Sequence, residues 1–214
     1  MILSIDTCLA ASSVAILDGD AVRAARSEPM TRGHQERIAV LAREVAAEAG
    51  IKFAHLTRIA VTVGPGSFTG LRVGLSFTKG LATALSIPCV GINTLEALAA
   101  SVDAPGGLVA GVLDAKMGQV YLQVFDGGKA LMAPDALEVG IAAARLAELW
   151  SGGPATLVGS GAPLVADVLP EATVLTLAYP DPVAIARLAA ARPAPSHSPR
   201  PLYLRAPYAV APAA

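Results

Sequence analysis

The chain has 214 residues, 54% of them hydrophobic and only 15% charged, with 16 basic residues against 17 acidic ones for a formal net charge of -1. That length admits one large domain or two small ones with a sizeable core. No Lys/Arg run is comparable to the basic stripe by which nucleic-acid binders neutralise phosphates, so tight independent RNA binding is not expected. A charged fraction well below the roughly 25% of ordinary soluble domains, with mean hydropathy +0.57, leaves apolar surface for a partner to cover, although much of it is alanine. There is no leader-like N-terminal segment and no run of apolar residues long enough to span a membrane, and neither Cys8 nor Cys89 sits in a CxxC pair. The expectation is a reducing cytoplasm, no membrane, and Cys8 as a small buried hydrophobe.

The opening ILSIDTCLAASSVAILDGD reads as a strand ending in Asp6, a small polar turn, and a second strand closing at Asp18-Gly19-Asp20. A helix follows over about 33–49, with Ile38, Leu41, Ala42, Val45 and Ala49 at helical spacing and Gly50 as its stop. VTVGPGSFTG then turns from a strand into a long apolar helix, IPCVGIN is a short buried strand, and Asn93 with Glu96 offers an N-cap pair for a helix over 94–101.

Residues 108–128, LVAGVLDAKMGQVYLQVFDGG, repeat the opening design: Asp6 precedes Asp18 by 12 positions and Asp114 precedes Asp126 by 12. VTVGPG at 61–66 is answered by TLVGSG at 156–161, each predicting a strand, a Gly-x-Gly turn and a helix. A helix near 135–149, a strand near 173–177 and a helix over 182–191 complete the second half. The pattern predicts an α/β fold of actin-like, sugar-kinase-like, duplicated type, with two small lobes around a cleft. Residues 1–103 form the first lobe and 104–191 the second, and 192–214 is a proline-rich linker with a terminal segment that docks back.

The loop GPGSFTG could cradle a phosphate. Gly64, Gly66, Ser67 and Gly70 offer turned backbone N–H groups before a helix N-terminus, and Asp6 with Thr7 could hold a nucleotide-bound magnesium through water. It is not a Walker A loop, since Leu71 and Arg72 follow Gly70. The expected glycine after the first aspartate is also missing, so these residues read as vestigial nucleotide loops. ATP or ADP would bind weakly or at a partner interface, and no other cofactor is expected. His34, His55 and His197 have no ligand spacing, so no metal site is expected, and GPGSFTG lacks the flanking glycine of a nucleophile elbow.

The helix after the loop is apolar around most of its circumference, and Gly70, Gly74, Thr78 and Ala82 form a smooth stripe along it. Two readings are open: its own domain covers everything, or the helix joins 33–49 in an intermolecular bundle. The second places His34, Ile38, Leu41, Val45, Gly70, Gly74, Thr78 and Ala82 at a partner or dimer interface; the plainer reading of His34 is polar contacts at the first turn of its helix.

The combination of MILSIDTCLAASSVAI, GHQERI, VGPGSFTGLRVGLSFTKGLA, IPCVGINTLEALA, LDAKMGQVY and the terminal YLR resembles the family of bacterial tRNA threonylcarbamoyladenosine biosynthesis proteins of the TsaB (YeaZ) type, formerly grouped with glycoproteases. The resemblance is strongest over 1–125 and returns at YLR. It implies a non-catalytic paralogue of a TsaD-type transferase, acting as a scaffold while threonylcarbamoyl is transferred to the adenosine beside the anticodon. It further implies a TsaD-type catalytic partner, a TsaE-type ATPase, self-pairing as a homodimer, and tRNA contact only within the complex. In the stretch where the catalytic sister carries two metal-binding histidines, this chain has Thr94 and Leu98. The rival readings are an autonomous actin-like ATPase or kinase, and a metal-dependent protease that the missing ligands oppose.

Overall fold

The computed structural model describes residues 1–104 and 106–205. Residues 206–214, the end of the expected C-terminal segment, lie outside the described residues, as does position 105 in the expected inter-lobe boundary. The first sheet contains β1 (Ile2–Asp6), β2 (Ala11–Asp18), β3 (Ala21–Pro29), β4 (Arg58–Thr62) and β5 (Cys89–Ile92), in the order β3-β2-β1-β4-β5. β1, β2 and β3 form an antiparallel meander, while β4 and β5 run parallel to β1. The crossovers are α1 (His34–Glu48), which with a short 3-10 turn leads to β4, and α2 (Phe68–Leu85), which joins β4 to β5; α3 (Thr94–Ala99) follows β5.

The second sheet repeats this plan. It uses β6 (Leu108–Lys116), β7 (Gln119–Asp126), β8 (Lys129–Ala130), β9 (Asp135–Glu138), β10 (Ala155–Val158) and β11 (Thr173–Leu175). The order is β11-β10-β6-β7-β8, and β9 also pairs with β7. The place of β3 is thus filled by two short pieces on the edge of β7. α4 (Val139–Leu149) and a 3-10 helix over Ala162–Val168 cover one face, and α5 (Pro182–Ala190) is the last helix or strand among the described residues.

Strand alternation explains the layering. Leu3, Ile5, Val14, Ile16, Ile59 and Val61 pack with Ile38, Leu41 and Val45 of α1 and Leu71 and Leu75 of α2. The opposite face of the same sheet carries Ala15, Leu17, Ala60, Val90 and Ile92, and there Val183, Ile185, Ala186 and Ala189 of α5 are buried. α5 was expected within the second lobe at 104–191. Instead it returns to the first, where the Ser4 hydroxyl donates to the Pro182 carbonyl at 2.6 Å. The reason is apolar demand: α5 buries Val183, Ala186 and Ile185, each large side chain contributing roughly 1.5–3 kcal/mol, against a sheet face that no earlier helix fully covers.

α3 is shared between the lobes. Its Leu95 and Leu98 pack on Leu113 and Val158 of the second sheet, while Ala97 joins the cluster beneath α5. Asn93 caps α3 by accepting from the Leu95 N–H at 2.9 Å, and its amide donates to Gln123 on β7. Glu96 does not complete the cap: its carboxylate is taken by Arg192, whose guanidinium also donates to the Gly91 carbonyl.

Four further expectations differ from the structure. β3 was not anticipated, because AVRAARSEP is an edge strand of small and charged residues, exposed at most positions, without an apolar alternation. The helix expected from 135 begins at Val139, since 135–138 satisfies the open edge of β7 as β9. After Gly161 the chain forms a 3-10 helix. The helix expected over 94–101 ends at Ala99.

Candidate functional site

The β4–α2 loop sits on the β1–β2 turn at backbone contact distance. Ser67 N–H donates to the Cys8 carbonyl at 2.7 Å. A Cβ built on Gly66 would meet the Cys8 carbonyl oxygen at 2.4 Å, on Gly70 the Thr7 carbonyl oxygen at 2.0 Å, and on Gly74 the Thr7 hydroxyl oxygen at 2.6 Å. These glycines therefore admit the chain's own backbone. Gly64, at φ 103, is also in the left-handed region, with its space closed by Leu71 and Leu202. Ser67 caps α2 by accepting from the Gly70 N–H at 3.3 Å, and the Thr7 hydroxyl donates to the Gly70 carbonyl at 2.6 Å. The second lobe shows the same economy: Gly161 N–H donates to the Val112 carbonyl, and a Cβ there would lie 2.8 Å from the Leu113 carbonyl carbon.

Asp6 is fully buried. One carboxylate oxygen accepts from the Cys8 N–H at 3.0 Å and the Thr62 hydroxyl at 2.5 Å, while Oδ2 has no partner. Ser13, opposite Asp6 in the register, and Thr94 likewise carry buried, unpartnered hydroxyl oxygens. Burial raises the Asp6 carboxyl to about 6 against the opposing pull of the Thr62 and Cys8 hydrogen bonds. Burial, reinforced by the Asp6 charge, pushes the Cys8 thiol up to about 12, so it is not a nucleophile at neutral pH.

A nucleotide with its magnesium does not fit this arrangement. Asp6 is sealed from solvent, the Ser67 N–H is spent on Cys8, and Ser12 is paired with the His34 ring at 2.9 Å. On the second hairpin Asp114 is held by the Lys116 ammonium and backbone N–H. Among the described residues no group of three or more His, Cys, Asp or Glu side chains is placed to hold a metal ion. Thr94 and Leu98 are both buried.

The interface residues expected on α1 and α2 are turned the other way. His34, Leu41, Val45, Gly70, Gly74, Thr78 and Ala82 are buried against the first sheet of their own lobe. The small-residue stripe serves close approach to β1 and β4, so a Gly74→Leu change would strike Thr7 and Val61 inside the lobe. His34 reaches across to Ser12 on β2 rather than into its own first turn, and burial holds its imidazole below the usual value.

Outward, a groove of about 490 Å³ runs between α1 and α2, lined by Gln35, Ala39, Phe68, Arg72, Val73 and Phe77 among others, with Ile38 as part of its floor. The i, i+4 recurrence of Phe68 and Arg72, and of Val73 and Phe77, is the signal that could have marked this face. The C-terminal residues form a strap. Leu202 N–H donates to the Val63 carbonyl at 2.7 Å, Tyr203 packs beside Phe68, and Arg205 donates to the Ala115 carbonyl at 2.8 Å in the other lobe.

Two duplicated sheets of this topology flanking a cleft define an actin-like α/β protein, one whose phosphate turn in the first lobe is packed on its own backbone. A family model described as TsaD, tRNA N6-adenosine threonylcarbamoyltransferase, matches residues 28–158, and the chain belongs to that family. The tRNA threonylcarbamoyladenosine biosynthesis protein TsaB of Escherichia coli K12 is 35% identical over 122 residues, 56% of this chain and 52% of that protein. TsaB of Bacillus subtilis 168 is 34% identical over 124 residues, 58% of this chain and 54% of that one. The matches thus span about half the length of these curated relatives. A crystal structure of an uncharacterized Pseudomonas aeruginosa protein with similarity to peptidase YeaZ matches with TM-score 0.83 at 27% identity, covering 95% of this chain and 99% of the other.

Two outcomes are expected from the site. Gly70→Ala should destabilise the protein by about 1–3 kcal/mol through overpacking on Thr7, whereas Gly80→Ala, with nothing within 4 Å of its Cβ, should stabilise it by about 0.5–1 kcal/mol; urea denaturation of both variants reads the difference. For Asp6, a folded pKa of about 6 above the ordinary 3.8 means that the folded state holds the proton more tightly. Its contribution is fully present below pH 4, is lost as pH rises toward 6, and stays lost above. Asp6→Asn, which keeps the acceptor without the charge, should be more stable than the parent at pH 8, by on the order of 3 kcal/mol, and show little gain at pH 4. A variant that is less stable at pH 8 would show that the ionised form is the one the pocket holds.

Proposed function

We propose that the chain is a non-catalytic subunit in the formation of N6-threonylcarbamoyladenosine on tRNA, supporting a TsaD-type partner that transfers threonylcarbamoyl to the adenosine beside the anticodon. The observation that carries the reading is the packed turn: Gly66 and Gly70 lie against the Cys8 and Thr7 carbonyls where an actin-like enzyme needs room for phosphate. Asp6, without solvent or a free coordination path, adds to this. On this reading the chain has no catalytic residue, metal or nucleotide of its own and works in the cytoplasm. Its relatives named TsaB support the pathway, and the buried Thr94 and Leu98 support the non-catalytic role.

The partner surface is the outer groove of α1 and α2, where half-buried Val73 and Phe77 flank exposed Ala39, Arg72 and Ser76. A fold-related TsaD-type subunit, or in its absence a second copy of this chain, would lay its own helix pair there. A TsaE-type ATPase would join that assembly, and tight tRNA binding would need all of it.

Nucleoside mass spectrometry of tRNA from cells depleted of the protein should show loss of threonylcarbamoyladenosine, restored by a wild-type copy. An unchanged level, together with ATP turnover by the isolated chain, would replace this reading with an autonomous actin-like ATPase. For the surface, Ala39→Arg and Ser76→Arg place bulk and charge on exposed groove positions and should weaken association by roughly tenfold or more, a loss of about 1.4 kcal/mol, with an unchanged melting temperature. Undiminished binding in analytical ultracentrifugation would move the interface elsewhere.

A further inference from the structure

A second cavity, of about 290 Å³, opens at the mouth of the inter-lobe cleft. Its lining brings together Phe68 of α2, Tyr203 of the strap, and Met117 and Tyr121 of the second hairpin, with Lys116 and Arg205 beside them. The proposed function uses none of these groups as a set.

Three observations single it out. The Phe68 and Tyr203 rings stand 5.5 Å apart and are 40% and 43% exposed, so large aromatic surfaces remain in water. Arg72 fixes the pair, lying 3.9 Å over the Phe68 ring and donating from Nε to the Tyr203 hydroxyl at 3.3 Å. Across the cavity, Met117 is 73% exposed on a turn where Lys116 and Met117 have φ of 64° and 56°, a conformation unfavourable to both residue types. The fold buries little of that methionine. Finally, Lys116, ion-paired with Asp114 at 2.6 Å and largely exposed, lies at the rim with Arg205 and Arg72, in a chain whose net charge is -1.

An aromatic wall, a polarizable thioether opposite and cations at the rim suit a flat, electron-rich ring joined to an anion. We propose that this cavity seats one unstacked base of the RNA substrate, stacked on Tyr203 and faced by Met117, with its phosphates toward Lys116 and Arg205. The identification of the RNA rests on the proposed function. The seat reads the ring rather than its edge: the Tyr203 hydroxyl is engaged by Arg72 and the Ala115 carbonyl by Arg205. Little base preference follows.

The test uses the full chain with labelled methionine methyl groups, Met117 being assigned through Met117→Leu. Adenosine and a single-stranded hexaribonucleotide should each move the Met117 methyl resonance, inorganic phosphate should not, and only the RNA should bind less tightly as salt is raised. Tyr203→Ala and Met117→Glu should weaken RNA binding by roughly tenfold, the loss of one stack, while Tyr203→Phe retains it and melting temperatures stay near the parent's. A still resonance at millimolar RNA, movement by phosphate alone, or full affinity in a folded Tyr203→Ala variant would each overturn the seat. Base binding by a protein whose depletion leaves threonylcarbamoyladenosine intact would sink the functional reading and support the seat; loss of the nucleoside without base binding would sink the seat alone.

Discussion

The absence of a Cβ at Gly66, Gly70 and Gly74 lets α2 start against the backbone of the β1–β2 turn, and most of what distinguishes this chain follows from that contact. Backbone carbonyls of Thr7 and Cys8 occupy the ground over which a phosphate loop would have to open. The contact also fixes the rotation of α2. With its smallest residues pressed on β1 and β4, the helix must present Phe68, Arg72, Val73 and Phe77 elsewhere, and these become the groove beside α1 and one wall of the cleft mouth. One steric allowance thus seals a site and creates two surfaces.

The duplicated plan was legible because each half writes it in the same signs: a strand with an aspartate at its end (Asp6) or two residues short of it (Asp114), a hairpin closed twelve residues later, and a Gly-x-Gly turn. Helices α1 and α2 were legible from period and caps, including the Gly50 stop at φ 68. The direction of their faces was not. Gly70, Gly74, Thr78 and Ala82 announce that something approaches closely, but periodicity does not say whether it is a sheet from within or a helix from outside, and here it is the sheet. α5 escaped for a related reason: its apolar residues require cover, and only the three-dimensional arrangement tells that the cover lies on the first sheet.

Polar groups left unmatched inside the first lobe carry a further lesson. Asp6, Ser13 and Thr94 each keep a buried oxygen without a partner. Such atoms cost stability in a closed lobe. The same turn that lifts the Asp6 carboxyl thus keeps unsatisfied oxygens in its interior.

The return of α5 to the first lobe bears on how the chain is made. One face of the first sheet, with Leu17, Ala60, Val90 and Ile92, is covered by residues 183–189, which leave the ribosome only after the whole second lobe has emerged. Domains of ordinary linear layout finish one after another during synthesis. Here the first-made sheet keeps an apolar face open until residues 183–189 are made, so the first lobe completes its packing only with the last helix in place.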